Sequence, residues 1–128
     1  MDSKEPQKFS VRKRIGSANH AVRGIGLFFK SSHNAWAYPL FVLAVIYIGC
    51  VLHISEPEWL TLIVVMGFVF ITECINTAIE IDIDLTSPEF HPFARDTKDV
   101  AAGAVLLSII LACIVGSIIF LPKIFALF

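Results

Sequence analysis

The sequence predicts an all-α integral membrane protein, with an N-terminal amphipathic helix lying in the membrane interface and three transmembrane helices after it. Three observations carry that prediction. Of 128 residues, 56% are hydrophobic and only 16% charged, and the mean hydropathy of +0.76 exceeds what a water-soluble domain needs. The apolar residues come in uninterrupted blocks and lack the spaced pattern of a soluble helix or strand. The charges are segregated, with Lys4, Lys8, Arg12, Lys13, Arg14, Arg23 and Lys30 all ahead of the first long block.

The interfacial helix is expected over residues 9–30, where Ile15, Ala18, Val22, Ile25 and Phe29 recur at steps of 3 and 4 and so share one helical face. Arg12, Lys13, Arg23 and Lys30 project to another side, which suits the boundary between lipid tails and anionic headgroups. Residues 1–8 are polar and expected to fray, and no cleavable signal is expected in this basic start. The first span, residues 35–53, holds 19 residues without a formal charge, with Trp36 and Tyr38 where an aromatic belt would begin. Pro57 breaks the short loop that follows, and Trp59 opens the second span, residues 59–81. The third, residues 100–121, is 22 residues long. Ser87, Pro88 and Pro92 are expected to break the chain between these two and leave a loop over residues 86–97. The excess of Lys and Arg places the N-terminus and that loop in the cytoplasm of a multi-pass protein of the cell (inner) membrane. Residues 1–128 then make one domain. Cys50, Cys74 and Cys113 fall in different spans without metal-ligand spacing and are expected to serve as small packing residues.

The second span carries the chemistry. Counting from Glu73, the residues Asn76, Thr77, Glu80 and Asp84 follow at steps of 3, 4, 7 and 11 and fall in one helical stripe. An unpaired carboxylate facing lipid would cost about 2.5 kcal/mol or more, so the stripe must face protein, a cation or a polar cleft. A carboxyl group held away from bulk water is a better proton acceptor, as a general base acting on an alcohol must be. A polar stripe that only glues helices together is the alternative. A divalent cation, Mg²⁺, would offset the charge of Glu80, and it favours oxygen ligands and bound phosphates. Arg95, Lys98 and Asp99, in HPFARDTKD, bring cations to the depth of Glu80 and Asp84. Acidic groups for a metal opposite a lysine for phosphate oxygens is the division of labour that phosphoryl transfer needs. Taken alone, Arg95 and Lys98 also fit an ordinary cytoplasmic bias. Residues 24–31, GIGLFFKS, approach a phosphate-loop pattern but put Phe29 where the second glycine is required.

Residues 73–107, ECINTAIEIDIDLTSPEFHPFARDTKDVAAGAVLL, closely resemble the signature of the prokaryotic diacylglycerol kinase family, which includes the undecaprenol kinases. The run joins E-x-x-N-(S/T)-A-I-E to a K-D pair at the start of the last span. The resemblance implies a homotrimer of three-span subunits with active sites between neighbours. It implies transfer of the γ-phosphate of ATP, with Mg²⁺, to the primary hydroxyl of a membrane lipid, and no nucleic-acid partner. By position, Glu73 resembles the catalytic base, Glu80 a metal ligand that also meets the nucleotide, and Asn76 a positioning residue. Lys98 and Asp99 match a nucleotide-contacting pair, Glu89 and His91 a further nucleotide-contacting stretch, and Lys13 and His20 fall near ATP contacts.

One position departs from the pattern. The family's other metal-binding glutamate precedes the first span, and an ungapped count puts Ser32 there. A hydroxyl ligates without contributing charge, so metal affinity should fall unless another group, such as Asp84, assists. The wording of residues 84–107 is nearer the undecaprenol kinase branch, which makes undecaprenol the preferred acceptor and diacylglycerol the alternative. From another class, a non-catalytic lipid-binding scaffold weakened through Ser32 is the rival. A channel that used the stripe as an ion path would leave Lys98 and Asp99 without a role.

Overall fold

The computed structural model describes residues 10–33 and 35–128. Those residues form four α-helices and no strand: α1 (Val11–Ser31), α2 (Ala37–Val51), α3 (Glu56–Thr86) and α4 (Pro92–Phe125). Lys4, Lys8 and Phe9 of the predicted basic start lie outside the described residues.

Two helices, α3 and α4, are long and apolar enough to cross a membrane, whereas α2 is a shorter apolar helix of 15 residues. At about 1.5 Å per residue α3 is about 46 Å long, well beyond a hydrocarbon core of about 30 Å. Its charged turns, from Glu80 to Asp84, occupy one end of that excess length.

Both long helices exceed their predicted bounds, for local reasons. At the start of α3, Glu58 accepts hydrogen bonds from the Ser55 backbone N–H (2.7 Å) and the Ser55 hydroxyl (2.9 Å), and Pro57 sits in the first turn, where its missing N–H is harmless. The Ser55 N–H, with the Ser55 hydroxyl and the Lys123 ammonium behind it, holds the Glu58 carboxyl below its ordinary range. At the start of α4, Pro92 does not break a helix as the sequence suggests; it begins one. His91 caps that start, its Nδ1 accepting from the Phe93 N–H at 3.3 Å. The predicted loop over residues 86–97 therefore shrinks to residues 87–91, and Arg95, Lys98 and Asp99 ride on the first turns of α4.

The main packing lies between α3 and α4. Near its middle Ser108, 1% exposed, bonds the Thr72 hydroxyl across the helix pair at 2.9 Å. Each hydroxyl is also within reach of a carbonyl of its own helix, Val105 for Ser108 and Val69 for Thr72; the two hydroxyl hydrogens serve two of these three contacts at a time, so neither hydroxyl is stranded. At the end away from residues 87–91, Val45, Ile54, Leu62 and Ile119 form the buried core, and a Glu58–Lys123 ion pair at 3.2 Å ties α3 to α4. Trp59, expected as an interfacial anchor, is half-buried there: its ring lies over Gly49, where an added Cβ would come within 2.5 Å of it.

The turn leaving α2 closes with Ile54 N–H bonded to the Gly49 carbonyl and His53 N–H to that of Cys50, the paired bonds of a left-handed C-terminal cap. His53 takes the left-handed backbone conformation, φ 49°, which costs a residue with a Cβ but not glycine. His53→Gly is expected to stabilise the protein by about 0.5–1 kcal/mol, read as a rise in thermal unfolding temperature in detergent; an unchanged or lower temperature would count against this cap.

Outside these contacts the helices are apolar on their outer surfaces, with Leu40, Tyr47, Val64, Leu107 and Ile118 each around two-thirds exposed or more. Val11, Ile15, Val22 and Ile25 of α1 are likewise uncovered within the protomer. Cys50 and Cys113, expected as small packing residues, lie on this outer surface of the protomer, and Cys74 is half-buried; all three are free thiols. A patch of this extent on a single chain requires lipid or further protein against it.

Candidate active site

The predicted stripe on α3 divides by burial. Asn76 and Thr77 are buried, Glu73 is half-buried, and Glu80 and Asp84 are exposed where α3 passes the last of its packing. Asn76 sits one turn before Glu80 and donates from Nδ2 to Glu80 Oε1 at 3.0 Å. Its Oδ1 is buried with no hydrogen-bond partner among the described residues, which is costly for an amide oxygen.

From α4, the Lys98 ammonium bonds the Asp84 carboxylate. That contact fixes the start of α4 against the end of α3 and brings the lysine to the carboxylate end of the stripe. Asp99 instead pairs with Arg95 along its own helix, at 3.7 Å, with both side chains 69% exposed. Glu89 is exposed in the loop, and His91 is engaged in the cap of α4. Lys13 and His20, on α1, make no side-chain hydrogen bond or ion pair among the described residues. Ser32 ends α1, its backbone N–H bonded to the Phe28 carbonyl at 2.9 Å, and its side chain is half-buried.

One neighbour of Glu73 is not legible in the sequence. Tyr38, expected beside Trp36 as a membrane-surface anchor, turns inward from the first turn of α2, and its hydroxyl comes to 3.5 Å from the Val69 carbonyl, one turn before Glu73 on α3. Trp36 remains 72% exposed. The inward turn follows from an aromatic cluster in which Phe28, Tyr38 and Phe70 meet edge to face, with centroids 5.3 to 6.3 Å apart. A contact between residues 31 apart on two helices leaves no periodic trace in a sequence.

Among the described residues no group of three or more His, Cys, Asp or Glu side chains is arranged to hold a metal ion. Glu80 nevertheless has one carboxylate oxygen that no described residue bonds. Mg²⁺ is commonly held by one or two carboxylates together with water and substrate phosphates. The residues present therefore suit a metal that arrives with a nucleotide, and do not suit a cage built of protein alone.

Four α-helices, two of them long and apolar enough to cross a membrane, with carboxylates on one and a lysine on the other meeting where the apolar length ends, define a membrane-associated helical bundle. The chain belongs to the prokaryotic diacylglycerol kinase family, whose sequence profile matches residues 19–120. It is 37% identical over 123 residues to an undecaprenol kinase of Bacillus subtilis, covering 96% of this chain and 99% of that protein. A diacylglycerol kinase of Synechocystis is 36% identical over 112 residues, 87% of this chain and 64% of that protein. A diacylglycerol kinase of Escherichia coli is 30% identical over 105 residues, 77% of this chain and 86% of that one. The protein is accordingly a membrane-associated lipid kinase, a phosphotransferase.

Proposed function

We propose that the protein transfers the γ-phosphate of ATP to the primary hydroxyl of undecaprenol, with diacylglycerol as the alternative acceptor. The observation that carries the transfer site is the contact of Lys98 with Asp84, which sets a cation of α4 beside the carboxylate end of α3. The preference for undecaprenol is supported by the near full-length similarity to the Bacillus subtilis undecaprenol kinase.

In this reading ATP arrives from the cytoplasm, and Lys98, released from Asp84, pairs with its phosphate oxygens. Asp99, Glu89 and His91 line the nucleotide from the start of α4 and the loop before it, and Lys13 and His20 approach it from α1. Glu80 would hold Mg²⁺, with Ser32 as a weak second ligand that Asp84 would assist; the ion, when bound, would neutralise phosphate charge. The lipid hydroxyl comes from the bilayer side, and Glu73 accepts its proton while Asn76 keeps Glu80 in place. Because phosphoryl transfer is mostly positioning and charge stabilisation, a small chain suffices when neighbouring subunits complete the walls. The uncovered apolar surfaces of α1 to α4 suit a homotrimer whose three-span subunits carry α1 on the cytoplasmic face.

The test is transfer of labelled γ-phosphate from ATP to undecaprenol and to diacylglycerol, each with Mg²⁺ and with chelator, on full-length protein in detergent. Faster transfer to undecaprenol is expected; faster transfer to diacylglycerol reverses the substrate assignment. Ser32→Glu adds a charged oxygen ligand and is expected to lower the Mg²⁺ concentration for half-maximal rate by roughly tenfold, equivalent to about 1.4 kcal/mol. An unchanged Mg²⁺ requirement places the second ligand elsewhere.

A further inference from the structure

The Val69 carbonyl is crowded. It lies one turn before Glu73 in α3, where the helix pattern directs the Glu73 backbone N–H at it, and the Thr72 hydroxyl also reaches it at 2.9 Å. A carbonyl oxygen has two lone pairs. The Tyr38 hydroxyl approaches the same oxygen at 3.5 Å, far beyond the 2.7–2.8 Å usual for a hydroxyl donor. Side chains on a helix lean toward its N-terminus, so the Glu73 carboxyl group lies over the turn that carries the Val69 carbonyl and is the better acceptor for this hydroxyl. The phenol ring cannot easily swing away, because Phe28 and Phe70 pack against it at centroid distances of 6.3 and 5.7 Å.

We propose that Tyr38 is a positioning residue for the phosphoryl transfer, donating its phenolic hydrogen to one oxygen of the Glu73 carboxylate so that the other points at the lipid hydroxyl. This rests on Glu73 being the base. In the step so organised, the lipid oxygen bonds to the γ-phosphorus of ATP and the bond from that phosphorus to the β,γ-bridging oxygen breaks, releasing ADP. The hydroxyl proton passes to the Glu73 oxygen that Tyr38 leaves free. A base whose carboxylate turns freely spends much of its time misdirected, and small misplacements in phosphoryl transfer cost large factors in rate. Tyr38 has this effect without touching nucleotide or lipid.

The experiment compares Tyr38→Phe, Tyr38→His, Glu73→Gln and the double variant Tyr38→Phe/Glu73→Gln, with full-length protein, Mg²⁺-ATP and both undecaprenol and diacylglycerol. Tyr38→Phe keeps the ring and its aromatic contacts, so thermal stability in detergent should hold while kcat falls by roughly 10- to 100-fold and KM for ATP and lipid stays within about twofold. Tyr38→His, which restores a donor, should recover part of the loss. In the Glu73→Gln background, Tyr38→Phe should cost nothing further. Wild-type kcat in Tyr38→Phe, with Glu73→Gln inactive, overturns the positioning role alone. An equal loss of stability and activity in Tyr38→Phe, without rescue by His, makes Tyr38 structural and overturns it too. An active Glu73→Gln overturns the base assignment and the proposal with it.

Discussion

Glu73→Gln is expected to reduce phosphate transfer by at least about 100-fold, and by as much as about 10⁴-fold, the range over which general bases contribute. Glutamine keeps the length and hydrogen-bonding shape of the side chain but cannot take a proton from an alcohol. The fold should tolerate the change, because Glu73 forms no ion pair among the described residues and its neighbours along the stripe, Asn76 and Glu80, bond one another. Removing one negative charge close to Glu80 also relieves repulsion between the two carboxylates. The measurement is single-turnover transfer of labelled phosphate to lipid, alongside thermal unfolding of the same preparation. Near-normal transfer by a well-folded variant would move the base to another residue.

Lys98→Gln should be almost as damaging, with a loss of about 100-fold or more in kcat/KM for ATP, the scale on which removing one preorganised charge from a transition state acts. Stability should hardly change. The Lys98–Asp84 pair is open to solvent, with side-chain exposures of 39% and 68%, and exposed pairs contribute about 0–1 kcal/mol. Asp84→Asn separates the two roles of the lysine: it removes the resting partner and leaves the cation. That variant is expected to retain transfer within a few-fold of the parent. A Lys98→Gln enzyme with unchanged kcat/KM for ATP would remove the lysine from the phosphate site.

Much of the fold was legible because membrane helices announce themselves through local composition. Helices form at each apolar block, although α2 is shorter than the span expected there and α3 and α4 run past their expected bounds, and the stripe from Glu73 to Asp84 could be counted off a helical period. The errors have equally local causes. Pro92 was legible as a breaker only without the His91 cap that makes it a first-turn proline. The cysteines could not be placed, since a helix that is apolar all round, such as α2, gives no sign of which side meets protein.

The sequence by itself determined the class of protein, the helix order, the carboxylate stripe on α3 and the cations that open α4, because each depends on neighbours within a few turns. Only the tertiary structure decided which of those groups meet. Lys98 was set on Asp84 while Asp99 paired with Arg95, Ser108 was placed against Thr72, and Tyr38 was turned from the membrane surface toward Val69, one turn before Glu73. Such meetings join residues 14 to 36 positions apart on different helices, and they depend on how the helices pack against one another, which no single helix encodes.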